Sequence, residues 1–248
     1  MSTHPLLDLQ NIRAVLVRLE ETIIFALVER AQFKINAPVY QPGGIPIPHF
    51  SGSFLDYLLH GTERLHATVR RYTSPDEHPF FDDLPPSLLP PLDYHAPIVP
   101  TQININKRIK TAYEQEIIPL FCPPGDDQQY GSTAVCDVAC LQALSKRIHY
   151  GKFVAESKYR HDPQRFRSLI AQADHEALRS AITDPLVEAR LLERVRRKAA
   201  TYAQELDDAQ PKVVYKLDPD LFVRLYREWI IPMTKDVEIA YLLARPLA

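Results

Sequence analysis

The prolines of this chain decide where regular structure can run. Of 22 in 248 residues, fifteen fall between Pro38 and Pro124, and only Pro163 and Pro185 interrupt the 85 residues from 126 to 210. Proline lacks a backbone N–H and fixes φ, so it is excluded from helix interiors and central strands. The stretch from 126 to 210 also carries few glycines, with Gly151 alone after Gly131, and it reads as helix. The seven glycines close off other folds as well. A phosphate-cradling loop needs clustered glycines to bring backbone N–H groups onto the anion. Only Gly43 and Gly44 are adjacent, and no G-x-G-x-x-G or G-x-x-x-x-G-K-[ST] occurs, which excludes dinucleotide-binding and P-loop architectures.

Charge and length narrow the class further. The 29 basic and 31 acidic residues nearly cancel, so no global field favours nucleic acid or an anionic membrane. No apolar run approaches the roughly 20 residues of a membrane span. The start, MSTHPLLDLQNIRAVLVRLEE, lacks the basic and uninterrupted apolar regions of a signal peptide and the composition of a transit peptide. Cys122, Cys136 and Cys140 show no C-x-x-C spacing, and the last two, one helical turn apart, read as small buried helix residues. A reduced, cytoplasmic protein is expected.

Apolar spacing places the elements. Leu9, Ile12, Leu16, Leu19 and Ile23 predict an amphipathic helix over residues 8–33. A second is predicted over 53–72, with Leu55, Leu58, Leu59, Leu65 and Val69 inward. Residues 74–100 carry eight prolines, yet Phe80, Phe81, Leu84, Leu88 and Leu89 predict an ordered loop pinned to the surface. Helix is expected over 104–121, and again over 133–160 as the longest element, with Ser132 or Thr133 as its N-cap. Shorter helices follow at 163–172 and 174–182. Asp184-Pro185 and Asp218-Pro219 are each an N-cap followed by proline at the first helical position. They open helices to about 207 and 244, the second offset near Pro232. The expected architecture is all-α: a single-domain multi-helix bundle over 1–248, with one long central helix and ordered proline-rich loops.

Chemistry has few places to sit. No H-E-x-x-H, no G-x-S-x-G and no paired metal ligands occur, so neither metal nor cofactor is expected. In the long helix, Arg147, Gly151, Val154 and Lys158 follow at i, i+4, i+7 and i+11. Eleven steps of 100° return to within about 20°, which puts the two cations on one face about 16 Å apart. A glycine between them leaves a hollow with a cation at each end, suited to a small dianion. The alternative is a solvated basic stripe in which Gly151 permits close helix packing. Thr234 and Glu238, Arg13 and Glu188 are ordinary taken singly.

Longer blocks carry a resemblance. LQNIRAVLVRLEETIIFALVERAQF (9–33), SPDEHPFF (74–81), YGSTAVCDVACLQALSKRIHYGKFVAESKY (130–159) and WIIPMTKDVEIAYLL (229–243) closely resemble eukaryotic all-helical chorismate mutases. The resemblance implies conversion of chorismate to prephenate, an intramolecular Claisen rearrangement towards phenylalanine and tyrosine that uses no cofactor. It implies that Arg13 and Arg147 clamp the substrate carboxylates and that Lys158 reaches the ether oxygen and a carboxylate. Glu188 would bond the substrate hydroxyl, and Glu238 would be the second donor to the ether oxygen. Thr234, Asp184 and Val187 would line the pocket. A carboxylate only accepts, so Glu238 must be protonated to donate. Activity is then expected to fall as pH rises through neutrality. The plant branch has glutamine at this position, and Asp184 stands where an asparagine is common; Asp184 also serves as the N-cap before Pro185.

The resemblance further implies a homodimer activated by tryptophan and inhibited by tyrosine at its interface. Arg70 and Arg71 match a basic pair there; Gly131 and Ser132 match the segment receiving the effector's amino acid group. Gln129 and Val135 stand in the same region but depart from the fungal pattern, replacing an asparagine and a threonine. A non-catalytic helical binding protein of the same fold is the competing reading. Such a protein would be expected to have lost some of Arg13, Arg147, Lys158, Glu188 and Glu238, and all five are present.

Overall fold

The first helix starts where the sequence supplies a cap: the Asp8 carboxylate accepts the Gln10 N–H, and α1 (Leu9–Arg30) follows. Its last residue closes its far end. The buried Arg30 guanidinium donates to the carbonyls of Phe33, Lys34 and Ile35 and to Asp137 at 2.6 Å. The structure, a computed structural model, describes residues 7–92, 97–205 and 214–246; none of the described helices is long and apolar enough to cross a membrane.

Helix α2 (Phe54–Thr68) opens on a capping box between Ser53 and Asp56. Its inward face differs from the expected one. Leu55 and Leu59 are buried, but Leu65 is 68% and Val69 55% exposed. The third inward position, at the i, i+4, i+8 spacing, belongs to the carboxylate of Glu63, which accepts the N–H groups of Phe80 (2.9 Å) and Phe81 (3.1 Å). These bonds, with Phe80 and Phe81 packed on the core, fix the first part of the proline-rich segment. Leu88 (82% exposed) and Leu89 do not pin it, because that part of the segment faces outward. The rest of the expected loop includes residues 93–96, which lie outside the described residues.

Helix α3 (Asn106–Ala112) continues through a wide turn at Tyr113–Ile117 into α4 (Ile118–Phe121). In that turn the Ile118 N–H donates to Tyr113 O, five residues back. Pro119 explains the widening: its ring crowds the carbonyl four residues earlier, and an i→i−5 turn relieves the clash.

The long central helix is two segments, α5 (Tyr130–His149) and α6 (Gly151–His161), joined at Tyr150. It begins earlier than expected. Gln129, not Ser132 or Thr133, is the residue before the first turn, and Asp127 accepts the Gln129 N–H. Thr133 is buried, its hydroxyl accepting from Asn36. As a single uninterrupted helix α1 is the longer, with 22 residues against 20 in α5.

Helices α7 (Pro163–Ala171) and α8 (His175–Ile182) follow, capped by Asp162 and Asp174. Asp184 caps α9 (Pro185–Tyr202), as its Pro185 neighbour predicts, by accepting the N–H groups of Leu186 and Val187. Helix α9 stops before the expected 207, where β1 (Gln204–Glu205) pairs antiparallel with β2 (Val214–Tyr215), the one strand pair among the described residues. Residues 206–213 lie outside them. Asp218 caps α10 (Pro219–Leu225), which passes through a second wide turn, Tyr226–Ile230, into α11 (Ile231–Ala244). The two wide turns share the pattern Y-x-x-x-I-I-P, at 113–119 and 226–232, so proline resolves its clash the same way twice.

Two apolar cores result. One joins the later half of α1 with α2 to α5, the end of α9 and α10. The other joins Ile12 of α1 with α6, α7, α8 and the end of α11. The boundary between them holds the site.

Candidate active site

Six helices meet around a cavity of about 520 Å³ at that boundary, α8 through Ile182 at its end. Helix α1 contributes Arg13 with Leu9, Ile12 and Leu16; α5 contributes Arg147; α6 contributes Val154 and Lys158. The start of α9 contributes Asp184, Val187 and Glu188, and α11 contributes Thr234, Lys235 and Glu238. All eight residues predicted for catalysis and substrate binding therefore line one cavity, although their positions in the sequence run from 13 to 238.

The breadth of α5–α6 places Arg147 and Lys158 as the 100° periodicity predicts, but the hollow expected at Gly151 is filled. A Cβ at residue 151 would lie 3.0 Å from both Thr234 Cγ2 and Thr234 O, and 3.3 Å from Glu238 Cγ. Gly151 therefore allows close helix packing, and what it admits is the face of α11 that carries Thr234 and Glu238 into the site. The two readings of that glycine become one: tight packing is how the carboxylate reaches the cations.

Glu238 is 5% exposed and accepts from Lys158 Nζ at 2.9 Å. Burial raises its proton affinity above the usual carboxylate range, and Lys158, Arg147 and Lys235 oppose the rise. Lys158 Nζ also donates to Ile182 O at 2.6 Å, at the C-terminal end of α8, where a cation suits the helix dipole. Arg147 is 3% exposed and forms no ion pair among the described residues. Its Nη1 donates to Thr234 Oγ1 at 3.4 Å, its Nε is buried without a partner, and the Thr234 hydroxyl donates to Ile230 O. A buried guanidinium with no carboxylate is costly unless an anion arrives. Arg13 is exposed and likewise unpaired, while Glu188 is held by Lys235 Nζ at 2.7 Å.

Sequence reasoning passed over Arg190, Arg194 and Lys235, which also line the cavity. Arg194 makes a two-pronged contact with the buried Glu20, at 2.9 and 2.6 Å. These residues sit in a run of charge, LLERVRRK, or beside better-marked neighbours, and spacing does not separate them from solvated side chains. The lining thus holds six basic groups against three carboxylates, and it contains no Ser, Cys or His. Such a site can grip a small dianion and present Lys158 and a protonated Glu238 as hydrogen-bond donors to one oxygen. It offers no serine or cysteine nucleophile and no imidazole base. A more open depression of about 660 Å³ beside Trp229 gathers none of the predicted site residues.

The expected effector residues fall into two groups. Arg71 pairs with Glu77 at 3.1 Å and contacts His66, and Arg70 donates to Pro90 O. Gln129, Gly131, Ser132 and Val135 are exposed around the start of α5. Within one chain the groups are apart: the α5 residue that reaches the end of α2 is Gln142, touching His66. Ser132 lies ten residues earlier, about 15 Å along the axis. Among the described residues no cluster of His, Cys, Asp and Glu is arranged to hold a metal ion.

A family model described as chorismate mutase type II matches residues 129–239. A chorismate mutase of Emericella nidulans is 47% identical over 251 residues, covering 96% of this chain and 92% of that protein. Among solved structures, the Aro7p chorismate mutase of Candida albicans in complex with L-Trp superposes with a TM-score of 0.92 at 43% identity, covering 99% of this chain and 94% of that one. AtCM1 with tyrosine bound in its allosteric site superposes with a TM-score of 0.87 at 47% identity, covering 98% of each.

Proposed function

The chain belongs to the chorismate mutase family, type II, and on that premise we propose that its cavity isomerises chorismate to prephenate. The rearrangement is intramolecular and moves no proton obligatorily. The protein's work is to hold the reactive conformer and to stabilise the charge that grows on the breaking ether oxygen. Arg13 and Arg147 take the two carboxylates, and the lack of an ion pair at either guanidinium among the described residues suits that task. Lys158 and protonated Glu238 donate to the ether oxygen from one side of the cavity, as their 2.9 Å contact allows. Glu188 accepts the substrate hydroxyl, held ready by Lys235. Asp184 spends one carboxylate oxygen on capping α9, which supports a role in placing Val187 and Glu188.

One observation carries the proposal: a buried carboxyl with raised proton affinity lies against a lysine and beside an arginine that has no ion pair, in a cavity lined by no Ser, Cys or His. The same chain would serve as one catalytic domain and as half of a homodimer. Leu65 and Val69 on α2 and Leu88 and Leu92 in the loop are exposed apolar side chains that a second copy would cover, and the Leu88 N–H donates to Thr68 O at the end of α2. Dimerisation would also bring Arg70 and Arg71 of one copy near Gly131 and Ser132 of the other, completing a site for tryptophan and tyrosine. The test is loss of chorismate absorbance with purified protein, alone and with each amino acid. Turnover that tryptophan raises and tyrosine lowers supports the whole reading. Turnover indifferent to both removes regulation, and no turnover removes the function.

A further inference from the structure

Helix α9 carries five basic side chains, and four are in ion pairs. Arg194 and Lys198 hold Glu20, Arg196 holds Asp220 and Arg197 faces Glu193. Arg190 is the fifth. It is exposed, has no partner among the described residues, and still lines the cavity. Steps of 100° put Val187, Leu191 and Arg194 within an arc of about 60°, with Arg190 about 40° beyond one edge and Glu188 beyond the other. Arg190 is therefore a rim residue.

Its position relative to α1 follows from two contacts. Glu20 pairs with Arg194, and Phe25 lies on Tyr202 with ring centroids 4.5 Å apart, so α1 and α9 run side by side in the same sense. One turn before Arg194 is Arg190, and two turns before Glu20 is Arg13. Two unpaired cations on neighbouring helices thus share the mouth of a cavity whose lining is net positive.

We infer that Arg190 is a capture residue: it draws the dianionic substrate to the mouth and holds no part of it during reaction. An exposed, hydrated cation costs the fold little when unpaired. Its field reaches about 8–10 Å at ordinary ionic strength, and low-dielectric walls focus that field into the cavity. Its contribution belongs to kcat/KM through KM, not to kcat. The inference rests on the proposed function, because it needs a substrate with two carboxylates.

The experiment compares Arg190→Gln and Arg190→Lys with the parent chain, following initial rates of chorismate loss at about 0.02 M and 0.5 M salt. Arg190→Gln is expected to lower kcat/KM about three- to ten-fold at low salt, all of it in KM, and to match the parent at high salt. Arg190→Lys keeps the charge and is expected to keep the parent's salt dependence. Melting temperatures of the three should coincide. An unchanged kcat/KM at low salt overturns the inference, as does a loss that persists at high salt or appears in kcat. If the parent chain turns over no chorismate, the functional proposal falls and takes this inference with it. If the parent is active and the glutamine variant equals it, only the inference falls.

Discussion

Replacing Glu238 with glutamine exchanges a donor that exists only when protonated for one that exists at every pH. The carboxyl is 5% exposed and lies 2.9 Å from Lys158 Nζ, with Arg147 and Lys235 also facing it. Burial raises its pKa above the ordinary 4.5 and prevails over the three cations. If protonated Glu238 donates to the ether oxygen, kcat/KM of the parent chain follows the protonated fraction. It is flat below the carboxyl's pKa and falls about ten-fold per pH unit above it, each decade being about 1.36 kcal/mol. A well-placed donor to a developing oxyanion is worth about 10²- to 10³-fold, so the fall should level off after two to three decades. The glutamine amide keeps a donor in place, and Lys158 keeps its bond to Ile182 O at 2.6 Å. The Glu238→Gln profile should therefore vary by less than about three-fold between pH 5 and 9, and cross above the parent's in the alkaline range. The assay is kcat/KM across that range with circular dichroism as a folding control. Parallel profiles, or a flat profile for the parent, would refute the donor role.

Gly151→Ala gains about 1 kcal/mol of helix propensity yet should lower stability by about 1–3 kcal/mol, because the new methyl meets Thr234 and Glu238 at 3.0–3.3 Å; thermal melts and kcat/KM should fall together. Glu63, pushed up to about 7 by burial, takes up a proton on folding. Its stabilising contribution is complete below about pH 4.5 and is lost as pH rises through 7, by about 3 kcal/mol. Urea unfolding from pH 4 to 8 should show that slope, and Glu63→Gln should remove it; an equal slope in the variant would contradict the assignment. Asp137→Ala leaves the buried Arg30 without its 2.6 Å partner and should cost about 3–5 kcal/mol in denaturant unfolding.

What could be read from the sequence is what is encoded locally. The caps before Pro185 and Pro219 lie within a few residues and are found as predicted; the apolar spacing of α1 gives its helix, which ends at Arg30 rather than 33 and leaves Leu9 55% exposed. The shared face of Arg147 and Lys158 is equally local. What fills the space beside Gly151 is not, because Thr234 and Glu238 arrive from more than eighty residues away. Buried charges escaped for the same reason. Glu63 is balanced by the N–H groups of Phe80 and Phe81, and Lys152, lowered to about 8 by burial, by Ile103 O and His78. Leu65 and Val69 look like core from their spacing; only the packing of α2 turns them outward. Arg190 resembles every other charge of its helix until its neighbours are seen to be paired.

The central claim is that this cavity, through Arg147 and its neighbours, carries chorismate to prephenate unaided. Proton NMR of chorismate incubated with the purified protein in deuterated buffer tests it most directly. Prephenate is expected as the sole product, in one-to-one yield and without deuterium at carbon, with the conversion lost in Arg147→Ala. Chorismate left unchanged, a different product, or equal conversion by the variant would contradict it.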